Sequence, residues 1–563
     1  MTAQKKYGFT VLVLVAFLYI LPLGVRPMFV PDESRYAEIP REMIATGNWV
    51  SPHLNAIRYF EKPVFGYWAT AASLMAFGEN NFAIRFPSAL SVALSALFIF
   101  WLVSKEARED ETTAPLAALI FITTLEVYAV GTFCVLDSLL SFFITGTMAF
   151  FYLATLSPSG SGKEKKSLLL AGIFCGLAFL TKGFLAFIVP VLAIVPYLLS
   201  QRRFADILRM AWLPLLAALL VTLPWSILIH QREPEFWNFF FWNEHVRRFL
   251  AHDAQHRESF WYFFLISPPM FLPWIFLAPA AGLGLFVKAH PGEPARKKHT
   301  PLITYCLCWL ICPFLFFSVS SGKLLTYILP CFPPFAILLA AGLQRLFKKG
   351  GSRSFQLGAT GAVITSALFF IAIIAILIAT RLLGIDITLL PENPSWKWLT
   401  AANGLLMMML FLIVSIRSKE GSRKIFLFGL APACLLFAAN FIMPDLTLEK
   451  KAPDLLLKRH HQEVTADSLI FSSEETAPNT CWNFKRDNVY LVDSPGELEF
   501  GVQFADAKSK LVDLSQARRL IERNQGKAIL IATAKDYEQW QKQLPEPALL
   551  DNNGEKGYVF VKF

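Results

Sequence analysis

Thirteen apolar runs divide this chain, more than one soluble core can bury. They fall near residues 8–27, 86–104, 113–131, 138–156, 168–181, 184–200, 211–229, 262–287, 301–319, 327–344, 358–380, 398–416 and 425–443. About 20 apolar residues in a helix cross a hydrocarbon layer of about 30 Å, and lipid offers backbone amides no partner outside the helix itself. The pattern predicts a polytopic α-helical membrane protein with about 13 transmembrane helices. The fifth run is short and meets the sixth at Lys182-Gly183, so either is open to tilting or breaking. Composition excludes an ordinary soluble protein: 55% of residues are hydrophobic and 52 are Phe, and mean hydropathy is +0.47.

Charge sets the expected orientation. The first run reads as a retained anchor, its apolar stretch being longer than that of a signal peptide, which leaves Met1–Lys6 in the cytoplasm. Alternation puts the loops 105–112, 157–167, 201–209, 288–299, 345–355 and 417–424 on that side, where with Lys5 and Lys6 they carry 22 Lys and Arg. The short loops opposite carry four: Lys182, Lys323, Arg381 and Lys397. Such a bias marks the cytoplasmic face. The net charge of +10 is thereby explained without a nucleic-acid partner. The outer side holds the long loops 28–85 and 230–261, Asp137, the Ser320–Thr326 turn and the tail. A membrane unit, 1–443, precedes an outer soluble domain, 444–563.

Residues 29–63 are the densest run of charge and aromatics. Asp32, Glu33, Arg35, Glu38, Arg41, Glu42, Glu61 and Lys62 crowd a membrane surface, where charge is costly unless it is used. Asp32–Met43 and Pro63–Phe77 read as two short helices, the second lying along the interface. A charge run is usually a solvated face. The adjacent acids Asp32-Glu33 at the end of a membrane helix instead favour a catalytic Asp32 and leave Glu33 open.

Asp137 begins the fourth run, either as a helix cap or as a second carboxylate sharing a site with Asp32. The loop 230–261 holds His230, His245, His252 and His256 among aromatics, Arg247 and Arg248, without the tight spacing of a zinc helix. It reads as an interfacial belt or as a grip on an anionic headgroup. Lys323, a lone outer cation between two apolar runs, either snorkels or binds an anion. Seven of the eight cysteines lie in or beside membrane runs and act as small hydrophobes, leaving Cys481 alone in the tail. In that tail, short apolar runs at Ser468–Phe471, Asn488–Val492, Lys527–Ala532 and Tyr558–Phe563 alternate with helical spacing at Ser515–Asn524 and Ala534–Gln543. A small accessory α/β domain is expected.

Several motifs carry a resemblance. Pro31-Asp-Glu-Ser-Arg-Tyr-Ala-Glu-Ile-Pro-Arg-Glu-Met43, Gly47-Asn-Trp-Val-Ser-Pro52, Tyr59-Phe-Glu-Lys-Pro63 and Tyr67-Trp68 resemble the first outer loop of the bacterial aminoarabinose transferases. Phe241-Trp-Asn-Glu-His-Val-Arg-Arg-Phe249, Asp253-Ala-Gln-His-Arg257 and Ser321-Gly-Lys-Leu-Leu-Thr-Tyr-Ile-Leu-Pro330 are similar too. That family is of GT-C type, related to protein mannosyltransferases. Leu325 stands where Pro is common, and Ser34 where Ala is usual.

The resemblance implies a glycosyltransferase that moves aminoarabinose from undecaprenyl phosphate to a phosphate of lipid A at the periplasmic face of the bacterial inner membrane, giving resistance to polymyxin and other cationic peptides. Asp32 would be the principal catalytic carboxylate, with Asp137 in support. Lys62, Arg247, Arg248, Lys323, Tyr327 and His245 would meet the donor phosphate, and Glu33, Arg35, Tyr36 and Tyr59 would line the substrate cavity. Family members can hold a divalent metal near the residue matching Glu61. A phosphate leaving group makes cations the natural catalysts. An ionised acceptor phosphate needs little base, so Asp32 would orient the acceptor or stabilise positive charge on the sugar. The alternatives are a transferase of another sugar to a lipid, glycan or protein acceptor and, outside enzymes, a lipid transporter. A transporter is expected to show internal repeats, and none is evident.

Overall fold

The computed structural model describes residues 3–106, 110–247, 257–286, 301–381, 395–552 and 557–563. All thirteen expected spans are helical, but they are not all single rods. Among the described residues eight helices are long and apolar enough to cross a membrane, and two bent pairs bring the number to ten. The remaining three expected spans fall short for visible reasons. The first is a helix, Ala3–Val15, continued by a π-helical turn, Ala16–Ile20. The fifth, Gly162–Lys182, opens on the charged residues Lys163, Glu164, Lys165 and Lys166. The sixth, Leu185–Ser200, is only 16 residues long.

The two bent pairs satisfy each other. Thr113–Ile122 turns by 63° into Leu125–Gly131, and Tyr262–Met270 turns by 98° into the segment Trp274–Phe286. Pro268, Pro269 and Pro273 remove amide donors around the second bend. At the first bend the Leu125 amide donates to Leu272 O at 2.9 Å, and Trp274 Nε1 donates to Thr123 Oγ1 at 3.1 Å. Broken helices survive in a bilayer only where protein supplies such partners. Close helix packing relies on small residues: a Cβ added at Gly284 would lie 1.9 Å from Gly342 O.

One outer helix runs Asp32–Thr46, slightly beyond its expected end, and a second runs Phe65–Phe77. The first is buried from Glu33 through Met43 instead of showing a solvated face. Packed against it are both the helix Phe65–Phe77 and the tail. There a six-stranded sheet has the order Leu511–Val512, Tyr490–Val492, Leu469–Ser472, Ala528–Thr533, Tyr558–Lys562, Leu549–Asn552. The first four strands are parallel, and Tyr558–Lys562 runs antiparallel to both of its neighbours. The four expected strands and both expected helices are present within two or three residues of their expected ends. The sequence reading missed Leu511–Val512, Leu549–Asn552 and the helix Ala477–Phe484.

The domain junction is specific. The Val30 amide donates to Lys451 O at 2.9 Å, and the Met28 amide donates to Asp454 Oδ2 at 3.3 Å. Asn55 exchanges hydrogen bonds with both backbone groups of Val489, at 2.7 and 3.0 Å. Arg58 Nη1 meets both Asp506 carboxylate oxygens at 2.8 Å.

Candidate active site

The helix Asp32–Thr46 starts without a side-chain cap, and its first two residues have opposite surroundings. Glu33 is fully buried. Its carboxylate accepts from Arg26 at 2.6 and 3.0 Å, from Arg85 at 2.7 and 2.9 Å, and from the amides of Phe29 and Cys134 at 3.0 Å. Burial pushes this acid up, but the two guanidiniums overcome it and hold it at about 2. Glu33 therefore joins the ends of the first two spans to the segment before Asp137, a structural role that corrects its expected place in the cavity lining.

Asp32 keeps half of its side chain exposed. Its Oδ1 accepts from Arg35 Nη2, and Oδ2 takes no hydrogen bond from the described residues. Arg35 bridges two carboxylates, because its Nη1 donates to Glu497 of the tail. The same Glu497 oxygen accepts from the Tyr59 hydroxyl at 3.2 Å. The Arg35 guanidinium lies 5.2 Å from the Tyr36 ring centre and 6.0 Å from that of Tyr59, and Tyr36 stacks on Tyr67 at 6.1 Å. Arg35 Nε and the Tyr67 hydroxyl are buried without a hydrogen-bond partner among the described residues. Native proteins rarely leave such groups unpaired except where a ligand or water is to be met.

Asp137 is not a cap. It opens the helix Asp137–Leu156 with no capping hydrogen bond and accepts instead from Lys182 Nζ at 2.6 Å. Lys182 Nζ also lies 5.3 Å from the Tyr327 ring centre. Lys62 Nζ donates to Glu244 at 3.0 Å and lies 3.5 Å from the Glu61 carboxylate. Lys323 departs from the anion-ligand expectation: only 3% exposed, its ammonium donates to Glu258 O at 2.8 Å and to Ser320 O. It ties the 320–323 turn to the end of the long loop, and burial pushes its ammonium below the ordinary lysine value. The side chains of His245 and Arg247, and all of Arg248, lie outside the described residues.

Residues fit for a metal are not gathered among the described residues. Among the described residues no three His, Cys, Asp or Glu side chains converge, and Glu61 faces an ammonium. Sequence reasoning missed Glu497, Glu244 and Tyr67, and left Lys182 unassigned. Lys182 gave the same signal as Lys323, a lone outer cation between apolar runs. Glu497 gave none, since a Glu in a polar tail is unremarked until the tail folds back.

Two family models match the chain: the dolichyl-phosphate-mannose-protein mannosyltransferases over residues 6–240, and the C-terminal domain of the arabinosyl transferase ArnT over 448–561. The crystal structure of ArnT from Cupriavidus metallidurans bound to undecaprenyl phosphate superposes with a TM-score of 0.81 at 23% identity, covering 100% of this chain and 98% of that one. Fold and site thus define a membrane-embedded glycosyltransferase of GT-C type. An undecaprenyl phosphate-α-4-amino-4-deoxy-L-arabinose arabinosyl transferase from Shewanella sediminis is 37% identical over 547 residues, 97% of this chain and 96% of its own length. One from Aeromonas hydrophila is 38% identical over 535 residues, 92% and 93% of the two chains. The chain belongs to this family of arabinosyl transferases.

Proposed function

We propose that the chain transfers 4-amino-4-deoxy-L-arabinose from undecaprenyl phosphate to a phosphate group of lipid A, at the periplasmic face of the bacterial inner membrane. The observation that carries this reading is a half-exposed Asp32 paired with Arg35 at the rim of a membrane bundle, with Lys62 and Lys182 within electrostatic reach of the same Tyr36 that Asp32 and Arg35 act on. Orphaned donors at Arg35 and Tyr67 support a polar ligand among them. The charge pattern of the loops supports the orientation.

The chemistry follows from the charges. An oxygen of the acceptor phosphate attacks the sugar's anomeric carbon, and the bond from that carbon to the carrier phosphate breaks. Negative charge grows on the departing undecaprenyl phosphate. Lys62 neutralises it by exchanging the Glu244 carboxylate for a phosphate oxygen, with Arg247, Arg248, His245 and Tyr327 assigned to the same group. Fixed cations in a water-poor site stabilise such charge better than solvent does. The acceptor oxygen is already ionised, so Asp32 removes no proton. Its carboxylate stabilises the positive charge developing on the sugar, and Asp137 fixes Lys182 beside Tyr327.

Mass spectrometry of lipid A tests the reading. Cells lacking their own transferase, complemented with this chain, are expected to show an aminoarabinose mass shift that the Asp32→Asn chain does not restore. An unshifted lipid A with the native protein present in the inner membrane would refute it, and a shift of another sugar mass would identify a different donor.

A further inference from the structure

The tail was expected to be accessory, yet it places a carboxylate within the reaction motif. We infer that Glu497 is a positioning residue of the active site, which holds Arg35 and Tyr59 so that Asp32 keeps one carboxylate oxygen open to substrate. This rests on the proposed transfer reaction and assigns the soluble domain a part in it.

Arg35 is buried and stands between two acids, with one terminal nitrogen on Asp32 and the other on Glu497. A guanidinium offered a single carboxylate tends to take it two-handed. Glu497 takes Nη1 out of the end-on fork and anchors the guanidinium away from Asp32, and Tyr59, donating to the same Glu497 oxygen, fixes the direction of the bridge. Without Glu497, Arg35 is free to close on both oxygens of Asp32, which is the group facing solvent.

The tail is built to present this carboxylate. Glu474 and Glu497 follow the carboxyl ends of two adjacent parallel strands, Leu469–Ser472 and Tyr490–Val492. Open α/β sheets place their working residues at that edge. The Glu497 amide donates to Glu474 Oε1 at 3.1 Å. Gly496 has φ +49°, and a Cβ there would lie 1.6 Å from the Glu474 carboxyl carbon. Only glycine lets the Glu474 carboxylate pack under the turn that aims Glu497. Between this edge and the outer helix is a cavity of about 220 Å³ lined by Pro31, Arg35, Lys451, Glu474, Glu475 and Glu497.

A double-mutant cycle on the purified full-length chain tests the inference, with undecaprenyl-phosphate-linked aminoarabinose and lipid A as substrates. Glu497→Gln, which keeps size but removes charge, is expected to lower kcat tenfold or more with the donor KM within about twofold. In an Arg35→Gln background the same change is expected to have no further effect, because a residue acting through Arg35 has nothing left to position. Asp506→Asn removes a different ion pair of the same junction and is expected to keep native kcat. A Glu497→Gln enzyme within twofold of native kcat, or one whose loss is equally large without Arg35, overturns the inference while the transferase reading stands. Loss shared by Asp506→Asn also overturns it, since docking alone would then account for the effect. A native chain that transfers nothing defeats the transferase reading itself.

Discussion

Two helices of this protein invert the usual relation between polarity and burial. Asp32–Thr46 carries six charged side chains among its 15 residues and is buried over nearly its whole length. Ser352–Ala379 is apolar along 28 residues, yet only 11% of its most apolar stretch is buried inside the protein. The surrounding medium explains both. Lipid is as apolar as Leu, so an outward Leu368 or Phe369 gains nothing by being covered. Charge at a membrane surface has to be paired or put to use, and the outer helix does both, with Glu33 paired and Asp32 presented.

The largest expected effect separates Asp32 from its neighbour. Asp32→Asn is predicted to reduce transfer by about 10²–10³-fold, the range usual for a lost electrostatic contact to a charge developing in the transition state, while the melting temperature in detergent stays within about 2 °C, a half-exposed side chain contributing little to the fold. A comparable fall in melting temperature would place Asp32 with Glu33 as structural. Glu33→Gln reverses the pattern. It leaves Arg26 and Arg85 buried against a neutral amide, and breaking a buried pair costs about 3–5 kcal/mol. The expected readout is loss of monodisperse protein on extraction, and a stable Glu33→Gln chain would contradict the assignment.

The pH dependence of the outer helix comes next. Glu42 is buried, and burial pushes its carboxyl up to about 7 against the opposing Ala56 amide and Arg41. Its folded value exceeds the unfolded one, about 4.3, so its stabilisation is complete below that value and is lost as pH rises through about 7. Glu33 has the opposite sign: its stabilisation is present above about 4.3 and is lost as pH falls through about 2. Glu38, which burial pushes up to about 8, acts with the same sign as Glu42, so the native melting temperature is predicted to decline from pH 5 to pH 8 and Glu42→Gln to lessen that decline. An unchanged slope would assign the titration elsewhere. The smallest effect is expected on the other helix. Leu368→Ala and Phe369→Leu, both more than 60% exposed, are predicted to change stability by less than about 0.5 kcal/mol at any pH. A larger loss would reveal that another protein surface covers this helix.

How far these features were legible in the sequence differs along the chain. The spans were readable because about 20 apolar residues have one stable outcome in lipid, and the strands of the tail because short apolar runs between helical segments signal an α/β sheet. The bends at 122–125 and 270–274 were not, since Thr and Pro permit a bend without dictating one and the facing segment supplies the amide partners. Asp32 was conspicuous as a carboxylate at the end of a membrane helix. Glu33, identical in that respect, was ambiguous because Arg26 and Arg85 stand 7 and 52 positions away.

Local chemistry, then, determined which segments enter the membrane, which remain outside, and which charges have to be explained. Only the tertiary structure decided what each charge does: that Glu33 is neutralised, that Lys323 closes a turn, that Lys182 holds Asp137, and that Glu497 reaches Arg35 from 462 positions away. The physical reason is range. Hydropathy and helix periodicity act over a turn or two of chain, whereas an ion pair requires two groups to be within about 4 Å in space whatever their separation in sequence.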